Sequence, residues 1–284
     1  MIKEGGKRIN NPAESAKDKV PVLSIITVVL NGEECLEKTI QSVVSQLNDT
    51  IEYIIIDGGS TDGSLDIIKS YDNIIDYWIS EPDNGISDAF NKGIKLSRGE
   101  IIGIINSDDW YETGSFEKII KEYKIKNADV FCGAVKFWEN EKPVVVSFPD
   151  IRKLKRETSV HHAAVFIKRS AYTKHGTYNT DYRYAMDYEL LLRFMMNGAE
   201  FKMLNEVIAN RRLEGLSYTN KNKALHETLK IRKGYFSILN VYSNFVYVWI
   251  KDTLGRLIKN MNFISIYRFY WRKKNETLAK ELNK

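Results

Sequence analysis

Four short apolar runs, each closing on a polar or acidic loop, constrain this chain more than any other feature of its sequence. Residues 22–30 are rich in β-branched side chains and stop at Asn31-Gly32. Residues 51–56 stop at Asp57-Gly58-Gly59-Ser60-Thr61-Asp62-Gly63, and residues 74–79 at Ser80-Glu81-Pro82-Asp83-Asn84-Gly85. Residues 101–105 stop at Asn106-Ser107-Asp108-Asp109-Trp110. Runs of this length and composition, bounded by turn residues, read as buried strands. Between them, residues 33–46, 64–70 and 86–96 carry apolar positions at helical spacing, with Leu36, Ile40, Val43, Val44 and Leu47 on one face of the first. Strand and helix in alternation predict an α/β fold, a Rossmann-like, mostly parallel sheet with helices on both faces. The loops holding Asp57, Asp83 and Asp108 then leave the sheet on one edge, where open α/β sheets bind ligands.

The adjacent acids Asp108 and Asp109 sharpen that expectation. Strand interiors exclude unpaired carboxylates because desolvating a charge is costly, so acids at a strand end face a crevice. Hard oxygen ligands there suit Mg²⁺ or Mn²⁺ with phosphate oxygens completing the shell. The plainer alternative is an N-capping Asp with Trp110 as packing. No Gly-x-Gly-x-x-Gly and no Gly-x-x-x-x-Gly-Lys-Ser/Thr occurs, which disfavours dinucleotide oxidoreductases and P-loop NTPases. Further on, a helix over 115–123, a strand over 130–137 and an antiparallel return over 144–148 are predicted. His161 and His162 run into an apolar stretch, and Asp187 opens a strongly helical one. An acid at that position is also what a helix dipole favours without any chemistry.

Charge divides the chain. The net +5 is the difference between a C-terminal part and the rest: residues 217–284 hold fourteen Lys and Arg against four Asp and Glu, about +10, leaving about −5 elsewhere. Residues 235–250 are uncharged and aromatic, and Arg268, Arg272, Lys273 and Lys274 are interleaved with Tyr267, Phe269, Tyr270 and Trp271. Three helical stretches are expected from Asn222 onward. Aromatics with Lys and Arg suit a helix lying on an anionic membrane surface, and equally a helical cap on the preceding domain. No recognised nucleic-acid module is present, so no nucleic-acid partner is expected. The first twenty residues are polar, read as a disordered leader, and contain no secretory signal. No apolar stretch is long enough for a transmembrane helix. Cys35 and Cys132 form no CxxC pair, which fits a reducing cytoplasmic setting.

These motifs together resemble the family 2 glycosyltransferases of the GT-A fold, most closely those that build bacterial surface polysaccharides. The resemblance covers about 22–217. It rests on Ser24-Ile25-Ile26-Thr27 through Asn31, the Asp57–Gly63 and Ser80–Ile86 loops, Asn91-Lys92-Gly93, Asn106–Asp109, and the stretch from Ala185 to Arg193 around Asp187. It implies a leader over 1–20, a GT-A catalytic domain over 21–216 and a basic, aromatic-rich helical C-terminal region over 217–284. It implies that Thr27 and Asp57 contact a nucleobase, and that Asn31, Gly59, Asp83, Asn84 and Gly85 line the nucleotide pocket. Asp108 would face the ribose, Asp109 would bind Mn²⁺ or Mg²⁺, and Asp187 would be the catalytic base. His161 and His162 would flank the acceptor. The implied reaction is inverting, metal-dependent transfer from a nucleotide-diphosphate sugar, by family habit a UDP-sugar, to a lipid-linked or polysaccharide acceptor. The enzyme would sit peripherally on the inner face of the cell membrane.

This sequence departs from the family pattern in several places. Asp57-Gly58 stands where two acids are usual, and Asn106 replaces an Asp, which sets Asn106 aside as a ligand. Met186 replaces a Glu before the base, so the pKa of Asp187 is expected to be less raised. The Gln-x-x-Arg-Trp signature of processive members is absent, which implies one sugar per encounter. Arg211-Arg212 stands where a late metal-binding His is common. The competing readings are a catalytically weak nucleotide-sugar-binding scaffold at the membrane and a sugar-phosphate nucleotidyltransferase. The acidic Glu33-Glu34 after the first strand counts against the latter, which needs basic residues there to hold a triphosphate.

Overall fold

The computed structural model describes residues 2–12, 20–213 and 220–260. One ten-stranded sheet organises it, with strand order β1-β4-β3-β2-β5-β9-β7-β10-β6 and β8 paired to β7. The strands are β1 Lys3–Gly5, β2 Leu23–Val29, β3 Ile51–Asp57, β4 Tyr77–Ser80, β5 Ile101–Asn106, β6 Trp110–Tyr111, β7 Val130–Glu139, β8 Lys142–Ser147, β9 Val165–Lys168 and β10 Phe201–Arg212. β4, β3, β2 and β5 run parallel, as the strand–helix alternation predicts.

Their continuous apolar runs follow from burial on both faces. On β2, Leu23, Ile25 and Val29 face one core with Leu36, Ile40 and Val43 of the helix Leu36–Val44. Ile26 and Val28 face the other, with Phe90 and Ile94 of the helix Ile86–Leu96 and with Leu190, Leu191 and Phe194 of the helix Met186–Met196. Gly93 permits the close seating of Ile86–Leu96, since a Cβ there would come within 2.5 Å of the Ile26 side chain.

The predicted strands and helices recur within a few residues of their expected limits, but three features depart from the sequence reading. The leader is not disordered over residues 2–12: β1 pairs antiparallel with β4, and Arg8 reaches the buried Glu52, which also accepts from Ser24 Oγ (2.6 Å) and Arg98 Nε (2.7 Å). β10, twelve residues long, escaped prediction because polar residues interrupt it. It runs parallel to β7 and antiparallel to β6, which carries its basic end up to the acidic loop. β9 lies antiparallel between β5 and β7.

Two of the expected C-terminal helices are present, Lys221–Lys233 and Ile238–Asn260. The third, with the basic aromatic run 267–274, falls outside the described residues. The helix Lys221–Lys233 packs on the catalytic domain: Ile231 joins the second core, and the buried Arg232 donates to the Lys155 carbonyl and to Asn240 Oδ1 (3.1 Å). None of the described helices is long and apolar enough to cross a membrane.

Candidate active site

A cleft of about 880 Å³ opens at the carboxyl ends of the parallel strands. Asn31, Asp83, Asn84, Gly85, Asn106, Asp108, His162, Asp187 and Arg211 line it. The fold thus brings to one place residues that lie up to 180 positions apart, from Asn31 to Arg211.

The half of the cleft formed by the loops after β2, β3 and β4, where the sequence places a nucleotide, is stitched from its own residues. Asn31, with φ near 53°, adopts the left-handed conformation that asparagine tolerates better than most residues. Its N–H donates to Ser60 Oγ (2.8 Å) and its Oδ1 accepts from the Thr61 N–H (2.8 Å). Gly32 donates to Ser64 Oγ (2.9 Å), Glu33 to Asp62 Oδ2 (3.1 Å), and Gly63 back to Glu33 Oε2 (3.0 Å). Asp83 accepts from the Gly85 N–H at 2.8 Å, and Asn84 donates to Asp88 Oδ2 at 3.0 Å. A Cβ on residue 58 would collide with Asp83 Oδ2, so the Asp83 side chain would have to shift to admit a second acid after β3.

Three of the nucleotide residues expected from the sequence stand behind this wall rather than in it. Thr27 is fully buried and shares a hydrogen bond with the Tyr53 hydroxyl at 3.0 Å. Asp57, also fully buried, accepts from the Ser60 backbone and hydroxyl and from Ser80 Oγ (2.6 Å). Its carboxylate holds the turn that follows β3 and ties it to the end of β4. Gly59, at φ near 86°, supplies that turn and is not a lining residue.

The acidic loop is held from the opposite face. Thr39 Oγ1, on the helix Leu36–Val44, reaches the carbonyls of Ser107 (2.8 Å) and Asp109 (2.6 Å). Asp108 lines the cleft, whereas Asp109 is only 1% exposed. Asp109 Oδ1 accepts from the Arg212 N–H at 3.3 Å, and Arg211 Nε lies 4.0 Å from Oδ2. Oδ2 has no hydrogen-bond partner among the described residues, and neither does Asn106 Oδ1. Burial, with Asp108 beside it, pushes the Asp109 carboxyl up to about 7 despite Arg211.

Such a carboxyl fits a divalent cation, which would supply the missing partner and favour the ionised form. The described residues contain no cluster of three His, Cys, Asp or Glu side chains able to hold a metal alone. The fit is thus to an ion taking one or two protein carboxylates and completing its shell with substrate phosphate and water.

On the far side stands Asp187, in the first turn of the helix Met186–Met196. His162 Nδ1 lies 2.9 Å from Asp187 Oδ2, while Oδ1 has no hydrogen-bond partner among the described residues. Burial raises the Asp187 carboxyl, but His162 and Arg211 outweigh it and hold it below the usual carboxylate range. Burial conversely disfavours a charged His162, yet Asp187 prevails and raises it. The pair is an ion pair on the cleft wall. The expectation that Asp187 would merely be less raised is thereby exceeded, and the cause is His162, which the sequence left among residues flanking the acceptor. His161 is different: its Nε2 meets Ser147 Oγ at 3.2 Å, its ring packs edge-on to Phe137, and burial with Arg211 lowers it to about 3. It is neutral and does not line the cleft.

Arg211 was missed as a site residue. It stands on β10, and only the β10–β6 pairing aims it at Asp109. Tyr182, Arg183 and Tyr184 also line the cleft beside Asp187.

A family model described as glycosyl transferase family 2 matches residues 24–189. The chain is 28% identical to the hyaluronan synthase of Pasteurella multocida over 237 residues, which are 80% of this chain and 24% of the synthase. It is 29% identical to a Pasteurella multocida chondroitin synthase over 232 residues, 78% of this chain and 23% of that one. The chain thus spans about a quarter of the length of these relatives. Among solved structures, S. aureus TarS in complex with UDP-GlcNAc superposes with a TM-score of 0.61 at 16% identity, covering 74% of this chain and 65% of that one. The mannosyltransferase PcManGT from Pyrobaculum calidifontis, in complex with GDP-Man and Mn²⁺, superposes with a TM-score of 0.59 at 15% identity, over 90% of this chain and 87% of that one. At such identities the likeness is one of fold.

Proposed function

The chain belongs to glycosyl transferase family 2 and is a glycosyltransferase of GT-A fold, and from that premise we propose that it performs inverting, metal-dependent transfer of a single sugar. The donor in this reading is a nucleotide-diphosphate sugar, preferentially a UDP-sugar, and the acceptor a polysaccharide or lipid-linked glycan. The carrying observation is Asp187, a half-buried carboxylate on the cleft wall kept ionised by His162, 2.9 Å from its Oδ2.

An inverting displacement needs one base, in line with the anomeric carbon and opposite the leaving group. The Asp187 carboxylate, on the cleft wall, is suited to take the acceptor hydroxyl's proton while His162 keeps it ionised. The loops at Asn31, Asp83–Gly85 and Asp108 are suited to the nucleoside. Asp109, with Asp108 beside it, would hold Mn²⁺ or Mg²⁺, which when bound neutralises charge on the departing diphosphate. Arg211, between Asp109 and Asp187, adds fixed positive charge on the same side. Tyr182 and Tyr184 offer aromatic faces to a sugar ring next to the base.

The C-terminal region supports a peripheral membrane position. On the helix Ile238–Asn260, Leu239, Tyr242, Val246 and Ile250 recur at helical spacing and are all exposed. An exposed apolar stripe in a basic region suits an anionic lipid surface. The double substitution Leu239→Ser, Val246→Ser is expected to reduce sedimentation with phosphatidylglycerol vesicles several-fold. Equal sedimentation of both proteins would remove the membrane from this reading.

The central test is Asp187→Asn, assayed with a panel of nucleotide sugars and Mn²⁺. Transfer and donor hydrolysis are expected to fall by about 10³-fold, within the range general-base removal produces, while UDP affinity stays within twofold. Near-normal turnover would dismiss Asp187 as the base. Turnover untouched by EDTA would dismiss the metal.

A further inference from the structure

The loop leading into Asp187 is held by a residue from the C-terminal region. Glu227, on the helix Lys221–Lys233, accepts the backbone N–H groups of Arg183 (3.0 and 3.2 Å), Tyr184 (2.7 Å) and Ala185 (2.8 Å). Three consecutive amides converge on one carboxylate. Ala185 is the N-cap of the helix that carries Asp187, and no side chain caps that helix locally. The first turn of an α-helix leaves its N–H groups without intrahelical partners, and an anion placed there is favoured by the helix dipole. Here the anion arrives from a segment some forty residues further along the chain.

Neighbouring contacts fix Glu227 in this role. Arg232, one turn along the same helix and 1% exposed, donates to the Lys155 carbonyl and approaches the Tyr188 hydroxyl at 3.5 Å. Tyr188 directly follows Asp187. Lys223 lies over the Tyr184 ring at 5.6 Å and Lys230 over the Tyr182 ring at 5.3 Å. On the other side of the loop, Ser87 Oγ donates to the Tyr182 carbonyl at 2.9 Å. The backbone just before the base is therefore clamped between the catalytic domain and the C-terminal helix.

We infer that Glu227 is a positioning residue for Asp187, and that the helix Lys221–Lys233 is a structural part of the acceptor side of the cleft. The inference rests on the proposed role of Asp187 as base. Among the described residues the hydrogen bonds of Glu227 go to the 183–185 backbone, so its influence falls on the proton-accepting side. A misplacement of about 1 Å in a reacting group costs on the order of 100-fold in rate.

The test uses the full chain and two variants, Glu227→Ala and the isosteric Glu227→Gln, which keeps one carbonyl acceptor. Three quantities are read: UDP affinity with Mn²⁺, hydrolysis of the UDP-sugar that the wild type turns over fastest, and hydrogen exchange of the 183–185 amides. In Glu227→Ala, kcat of hydrolysis is expected to fall tenfold or more, with donor KM and UDP affinity within twofold. The three amides are expected to exchange at least tenfold faster, and Glu227→Gln to lie between Ala and wild type. Unchanged kcat in both variants overturns the inference, and so does a parallel loss of UDP affinity. Unchanged amide exchange overturns it independently of any turnover. If the proposed function is what fails, the wild type itself shows no hydrolysis, an outcome separate from the amide result.

Discussion

The nucleotide side and the acceptor side of the cleft are built in opposite ways. The nucleotide side is local: the loops after β2 and β3 exchange six hydrogen bonds among residues 31–64, and Thr39 holds the acidic loop from the adjoining helix. The acceptor side is assembled from distant segments. Asp187 meets His162 from before it in the chain, while Arg211 and Glu227 come from after it. A half made of contiguous loops behaves as a rigid receptacle, and a half made of converging segments depends on each of them. Perturbations should therefore separate into those that abolish binding and those that abolish turnover.

The largest effect that sharpens this contrast is expected at Asp109. Asp109→Asn removes the carboxylate suited to the cation and should weaken Mn²⁺-supported UDP binding by on the order of 100-fold, the scale on which metal sites respond to altered ligation. Calorimetry with UDP and Mn²⁺ measures it, and unchanged binding would move the metal elsewhere or remove it. Next comes His162→Gln, expected to lower kcat about tenfold at neutral pH without altering UDP affinity.

That variant also has a pH signature. A base works only while ionised, so activity is lost as pH falls through its pKa in the folded enzyme. His162 holds Asp187 below the usual carboxylate range against the effect of burial. Without His162, burial dominates and the acid limb of the kcat profile should move to higher pH. In the wild type the His162 charge is lost as pH rises through its raised pKa, so its support of Asp187 weakens on that side. An unmoved acid limb in His162→Gln would mean that the pair does not govern the base. The smallest effect is expected from Thr39→Val, which leaves two carbonyls of the acidic loop without their hydroxyl donor. About 1–2 kcal/mol of stability should be lost, readable by denaturant unfolding. UDP affinity should drop a few-fold and the pH profile stay in place, since the change lies on the nucleotide side.

The same contrast explains what could be read from the sequence. The parallel strands announce themselves because burial on both faces leaves uninterrupted runs such as Ile101–Ile105, and their terminal loops carry the glycines and acids that turns and crevices require. The helix beginning at Asp187 was legible too, but by itself it suggested an ordinary N-terminal acid, and only the family resemblance singled Asp187 out. Asp57 and Thr27 misled for a physical reason: a residue at the correct strand end still has two directions to face, and both turn inward to Ser80 and Tyr53. Arg211 was illegible because its strand contains Asn205, Glu206 and Asn210, so neither an apolar run nor alternation marks it. Glu227 was illegible because its only signal is a carboxylate on a polar helix. Three-dimensional convergence, and no local pattern, gives it a partner.

The pairing of Lys3–Gly5 with β4 has a consequence for handling the protein. Without that short strand, Tyr77 to Ser80 would present an open backbone ladder flanked by Tyr77, Trp78 and Ile79, and an unpaired ribbon of that kind recruits a second chain. The Glu4 carboxylate on the Tyr77 hydroxyl (2.5 Å) and the Asp72 bonds to the Gly6 N–H (2.7 Å) and the Trp78 indole (2.6 Å) keep it covered. Proteolytic trimming of the first dozen residues is therefore expected to leave the cleft residues in place while opening β4 to self-association along the sheet.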